Sequence, residues 1–258
     1  GVLVLALAAL FWAMAALRPT GGEGFYAVLS HNAMVAIFAP AFLLPLLSVA
    51  IGLRAYWREV GAGPLRLVHL SGALRQAASL RNLNGGQGQG CNFEAEDRYS
   101  DRRRWLHQAV MYGFLLCFAA TSSATLLHYL ADMPAPYELF SLPKLLGVPG
   151  GVLMVIGATG LVWLKTRADP ALGARRVWGG EMAFVVLLAW VALSGLALYA
   201  ATGVGTGAGT GVGTGAVAVL LALHLGAVLG FFVLLPFTKM VHGFFRLTAL
   251  VAEESKKS

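Results

Sequence analysis

Six stretches of this chain are apolar over about the length that a helix needs to cross a bilayer. They run over about 2–17, 32–53, 105–130, 145–164, 182–201 and 216–245. A hydrocarbon core about 30 Å thick takes roughly 20 helical residues. Within it only helices and closed barrels satisfy every backbone N–H and C=O. The first stretch is short, and the second is interrupted by Pro40 and Pro45. Of the residues, 58% are hydrophobic and 12% charged, against about 25% charged in a soluble domain. A chain so poor in charge has too little polar surface to face water. The expected fold is all-α: one polytopic membrane helix bundle over 1–258, with about six transmembrane helices and one long loop at 54–104.

The charges give the expected orientation. Of nineteen Lys and Arg residues, nine lie in Arg54–Arg104, four in Lys165–Arg176 and four from Lys239 onward, leaving only Arg18 and Lys144 on the other side. Basic loops stay in the cytoplasm. The expectation is therefore a multi-pass protein of the bacterial cytoplasmic (inner) membrane with both termini cytoplasmic. The net charge of +7 reads as those loops, and no nucleic-acid partner is expected. Within the loop, Leu65–Leu83 reads as a basic amphipathic helix, with Leu65, Val68, Gly72 and Ala73 on one face. It either lies on the membrane surface or packs as a solvated helix against the bundle. Asn84–Gly90 (NGGQGQG) is glycine-rich but lacks the lysine of a phosphate-binding loop. Thr202–Gly215, alternating Gly with Thr, Val and Ala, reads as a flexible connector. Gly1 is no initiating methionine, so the chain reads as part of something longer.

The histidines carry the chemistry. Of His31, His69, His107, His128, His224 and His242, only His69 lies clearly in the loop. Polar groups at membrane depth are costly and mark functional positions, although a histidine at a span's end can equally sit among headgroups. On one uninterrupted helix His224 and His242, 18 residues apart, share a face at a separation of about 27 Å. His107 and His128, 21 apart, roughly share a face at about 31 Å. With the helices antiparallel, His107 and His242 fall toward the basic side, and His128 and His224 toward the other. That pattern suits two stacked b-type haems held by imidazole pairs, a closed ligation that favours electron transfer. His31, at the depth of His128, could replace it as a ligand or touch a haem propionate or a quinone, and one haem instead of two stays open. Gly113, Gly226, Gly230 and Gly243 would admit a flat macrocycle or serve helix packing. Lys239, Arg246 and Trp105 are candidates for quinone or propionate contacts, or for snorkelling to headgroups.

Other chemistry finds little support. There is no His-Glu-x-x-His or Cys-x-x-Cys spacing, which argues against zinc. Carboxylates are nearly missing from the spans, where Glu181 and Asp132 flank them, so a relay of buried acids is not expected. Cys117 reads as a small packing residue and Cys91 lies in the loop; two thiols cannot hold an iron–sulfur cluster.

The segment GCNFEAEDRYSDRRRWLHQAVMYGFLLCFAATSSATLLHY, Gly90–Tyr129, resembles the membrane half of the tricarballylate (or citrate) utilization B protein family. So do APYELFSLPKLLGVPGG, Ala135–Gly151, and HLGAVLGFFVLLPFTKMVHGFFR, His224–Arg246, with a weaker likeness at FYAVLSHNAMV around His31. A more distant likeness is to the gamma subunit of respiratory nitrate reductase, a two-haem cytochrome b with histidines 18 apart on its last helix. The longer spacing from His107 to His128 departs from that pattern. The resemblance implies a b-type-cytochrome-like subunit that takes electrons from a cytoplasmic flavoprotein dehydrogenase and delivers them to the quinone pool. It also implies two iron–sulfur clusters on a domain or partner outside this sequence. Arg98, Arg102, Arg103 and Arg104 would then form its docking surface, although topology-setting charge accounts for the same arginines. A transporter and a non-redox anchor for a soluble dehydrogenase are the alternatives. The first lacks an inverted repeat with paired discontinuous helices.

Overall fold

The computed structural model describes residues 2–17, 29–80, 101–133, 137–138, 140–167, 175–202 and 214–257. Over these residues it is all helical. Eight α-helices follow one another: α1 Val2–Leu17, α2 His31–Glu59, α3 Leu67–Ser79, α4 Arg102–Leu130, α5 Leu142–Arg167, α6 Arg175–Ala201, α7 Thr214–Leu234 and α8 Val241–Lys257. Five segments are long and apolar enough to cross a membrane: α2, α4, α5, Gly179–Ala201 of α6, and Ala216–Phe237. α1 is as apolar but has 16 residues, about 24 Å of helix. The bundle of about six helices expected from the apolar stretches is the bundle observed.

Two expectations about continuity change. Pro40 and Pro45 do not interrupt α2, which runs unbroken through both. Within lipid, neighbouring helices and small local adjustments take up the backbone groups that a proline frees. The opposite happens after α7. The single helix expected over 216–245 is two, separated by a 3-10 turn at Leu235–Phe237 and an extended Thr238. Pro236 has no N–H to donate, and its ring disfavours α geometry at the residue before it. The pattern changes at the same point. α7 is apolar all round, whereas α8 buries Leu250, Val251 and Ala252 and exposes His242, Arg246, Glu253 and Lys256.

The spans pack through small residues. α4 lies antiparallel on α5, where a Cβ added to Gly113 would come within 2.6 Å of Met154 N, and one on Gly157 within 2.7 Å of Leu106 O. α1 lies antiparallel on α7, where a Cβ on Gly226 would reach Ala8 N at 2.7 Å. Lipid gives helices no hydrophobic reason to associate, so close backbone approach and dispersion take over. Of the four glycines proposed to admit a macrocycle, Gly113, Gly226 and Gly230 pack against neighbouring helices, and Gly243 meets nothing within 4 Å. The outward surface of α2 stays apolar, with Leu43, Leu44, Leu47 and Ile51 58–64% exposed, as a lipid-facing belt requires.

The segments that carry the basic residues meet at one end. Arg104 donates to Ser79 O (2.9 Å) and Tyr112 Oη to Ala78 O (2.8 Å), tying α4 to the end of α3. Lys165 and Lys239 both pair with Glu181, which joins α5, α6 and the α7–α8 turn. Lys256 Nζ donates to Val60 O at 2.8 Å. Here α3 packs on α8 around Ala73, Leu250 and Val251, with Trp57 and Leu247 beside them. The helix expected over Leu65–Leu83 is thus packed against the bundle by one face. Ala73 is on that face, whereas Leu65 and Val68 are exposed. Asn84–Gly90, Cys91 and Arg98 lie outside the described residues, as does most of the Thr202–Gly215 connector.

Candidate functional site

At the basic end His107, in the second turn of α4, faces His242, in the first turn of α8. Their ring centroids are 6.0 Å apart with the planes at 74°. His242 reaches this place because the chain turns after α7. On an unbroken helix it would lie five turns along the face of His224; here it opens a helix of its own. Its Nδ1 is hydrogen-bonded to Lys239 O, inside the same turn, and Glu181 holds the Lys239 side chain. His107 Nδ1 is buried with no hydrogen-bond partner among the described residues. Arg103 precedes His107 by one turn on α4, and Arg246 follows His242 by one turn on α8; both are exposed. Of the other residues proposed at this level, Trp105 is 65% exposed.

At the opposite end the histidines group differently from the expected pair of His128 and His224. His31 opens α2 beneath the N-cap Ser30, and its ring lies against His128 in the last turn of α4, with centroids 4.4 Å apart and the planes tilted by 30°. His31 Nε2 lies 3.0 Å from Tyr129 Oη. His224, in the middle of α7, turns to α6, where Ser194 Oγ lies 3.0 Å from its Nδ1. A Cβ on Gly195 would come 3.0 Å from His224 Cε1, so glycine there makes room for the ring. His69 is buried on the inner face of α3, apart from both groups. Cys117 is a packing contact between α4 and α5, its Sγ 4.0 Å from Gly147 O.

Between the two levels lies a layer of phenylalanines. Phe42 of α2 meets Phe118 of α4 at 6.1 Å and Phe232 of α7 at 5.2 Å. Phe114 meets Phe231 at 5.7 Å, and Phe184 of α6 meets Phe231 at 6.4 Å. Four spans therefore share an aromatic midsection that separates the histidine groups. Neither this layer nor Ser194, Gly195, Tyr129 and the Lys165–Glu181–Lys239 triad is visible as a site in the sequence. Periodicity singles out no face on helices apolar all round. Only Glu181, a lone carboxylate beside a span, carries a signal.

Whether these residues suit a haem is a question of ring spacing and free nitrogens. Metal–imidazole bonds of about 2 Å set two rings on one ion roughly 6 Å apart, centroid to centroid. His107 and His242 have that spacing, and a histidine bonded through Nδ1 to a carbonyl presents Nε2 to a metal. By spacing and free nitrogens these two residues fit. His31 and His128, at 4.4 Å, are too close to have an ion between their rings as they stand, while the Nδ1 contact of His224 suits it to be a ligand.

A helical bundle with five membrane-length segments and histidines grouped at its two ends defines a multi-pass membrane protein. The profile of the family described as citrate utilization protein B matches residues 1–258, and the chain belongs to that family. A curated relative, Citrate utilization protein B of Escherichia coli, is 35% identical over 235 residues, which are 91% of this chain and 59% of the relative. The chain thus spans about three-fifths of that relative's length. No solved structure matches.

Proposed function

We propose that this chain is a b-type-cytochrome-like electron-transfer subunit of citrate or tricarballylate utilization, set in the bacterial cytoplasmic membrane with its basic end and both termini inside. It receives electrons at that end from a flavoprotein dehydrogenase through iron–sulfur clusters carried outside this sequence, and passes them to quinone. The observation that carries this reading is the inner pair, His107 and His242, at the spacing of two ligands on one ion. A b-type haem, when bound, supplies one-electron chemistry between ferric and ferrous iron.

The chain's own residues supply the rest. The Lys239 carbonyl holds His242 in the tautomer that leaves Nε2 for ligation. His107 brings a second ring from α4. Arg103 and Arg246, one turn from His107 and His242 on α4 and α8, would suit propionates and an acidic donor surface. The phenylalanine layer excludes water from the middle of the bundle. A second haem at the other end would need His224, which contacts Ser194, together with His128 or His31, which as they stand lie ring to ring on each other. Membership of a family whose described relative bears the name citrate utilization protein B supports the metabolic setting.

The test is a dithionite-reduced minus oxidised spectrum of protein purified after haem-replete expression. A b-type α-band is expected, to be reduced or lost in His242→Ala and His107→Ala and kept in His69→Gln. A colourless wild type overturns the reading.

A further inference from the structure

We propose that α3 is a membrane-surface helix, whose outward face docks into the acidic headgroup layer of the bilayer at the basic end of the bundle. This short helix has two distinct faces. His69 and Ala73 are buried, with Leu70 and Ala77 beside them, against Leu247, Leu250 and Val251 of α8. On the other side Leu67 is 83% exposed, Val68 76% and Leu74 48%, and Leu65, just before the helix, is 67% exposed. Leu67 and Leu74 are two turns apart on one line of the outward face, with the exposed Ser71 between them, and Val68 lies about 100° round from that line, beside Arg75.

A solvated helix of this kind shows water a polar face, and its partner α8 does so with Glu253 and Lys256. α3 therefore spends one apolar face on α8, and its outward face presents Leu67, Val68 and Leu74 together with Ser71 and Arg75, with no packed protein core over them among the described residues. The place where the helix is held indicates its cover. Its last carbonyls, Ala78 O and Ser79 O, accept from Tyr112 and Arg104 near the start of α4. Seven residues separate its first turn from Glu59, where α2 ends. Both ends are thus fastened where two spans enter the lipid. α4 has 29 residues, about 43 Å of helix, so its first turns project through the headgroups. Arg66 and Arg75, both exposed, set positive charge beside Leu67, Val68 and Leu74, the combination by which amphipathic helices settle among anionic headgroups. None of this depends on the electron-transfer reading.

The experiment places a nitroxide at one position at a time in the full chain, in a Cys91→Ser, Cys117→Ser background. The positions are Leu67→Cys, Val68→Cys, Leu74→Cys and, as the water-facing reference, Glu253→Cys. The chains are held in nanodiscs of phosphatidylglycerol and phosphatidylethanolamine, and collisions with oxygen are compared with those of a nickel chelate. Oxygen is expected to prevail at 67, 68 and 74, and the chelate at 253. Prevalence of the chelate at all three positions overturns the proposal. So does protection from both relaxants, whether with dipolar broadening, which would mean a second copy on this face, or without it, which would mean another part of the chain. Arg66→Gln with Arg75→Gln should make the label at 68 shallower in these discs and leave it unchanged in phosphatidylcholine. An unchanged depth in the acidic discs overturns the headgroup assignment.

Discussion

A Cβ at Gly113 would lie 2.6 Å from Met154 N and 2.7 Å from Gly150 O, while one at Gly243 would meet nothing within 4 Å. The two substitutions therefore have opposite signs. In Gly113→Val the obstacle is backbone of α5, which cannot rotate aside, and overpacking of this kind costs about 1–3 kcal/mol. Gly243→Ala lies on the exposed side of α8, where alanine favours the helix by up to about 1 kcal/mol. Reversible unfolding in mixed micelles should show the first variant less stable than wild type and the second equal or more stable. Both glycines look alike in the sequence, and only the facing element separates them. The same holds for Ser194 and Gly195. One contacts a ring nitrogen of His224 and the other leaves room for the ring, yet they are two small residues in an apolar run.

At the scale of elements, the corner after α7 decides the inner site. Pro236 is a stop signal in the sequence, but the apolar residues on either side of it and the regular spacing of His224 and His242 argue for one helix. The structure shows the proline prevailing there and yielding in α2. The difference lies in the residues downstream of each proline. Pro40 and Pro45 lead into more lipid-length apolar helix, whereas Pro236 leads into Thr238, Lys239 and an amphipathic segment that gains by turning onto α3. Glu181 closes this corner, drawing Lys239 and Lys165 to itself. Glu181→Gln leaves two ammonium groups facing one neutral amide, so the turn should loosen. Hydrogen exchange, followed by mass spectrometry, is expected to quicken in peptides covering 235–243 and to stay at the wild-type rate in the α4–α5 interface around Gly113.

For the whole molecule the charge asymmetry predicts the topology. Green fluorescent protein joined after residue 258 should fluoresce, and alkaline phosphatase joined after Tyr137 should be active. The reverse pattern would place the basic end outside and undo the orientation. The helical class, the apolar segments and the single basic end were legible in the sequence, because the solvent imposes them residue by residue. Each span must be apolar over a fixed length, and each cation must stay out of the hydrocarbon, whatever its neighbours are. That His107 and His242 share the basic end was legible, and they meet there; how His31, His128 and His224 group was not. Spacing along a helix predicts neighbours only if that helix is unbroken and its partner known. Here the α7–α8 corner brings His242 to His107, the arrival of α2 puts His31 on His128, and α6 takes His224. Lipid-facing composition is a property of single helices and is written in the chain. Ring-to-ring proximity depends on where several helices end, turn and cross, and only the assembled bundle decides it.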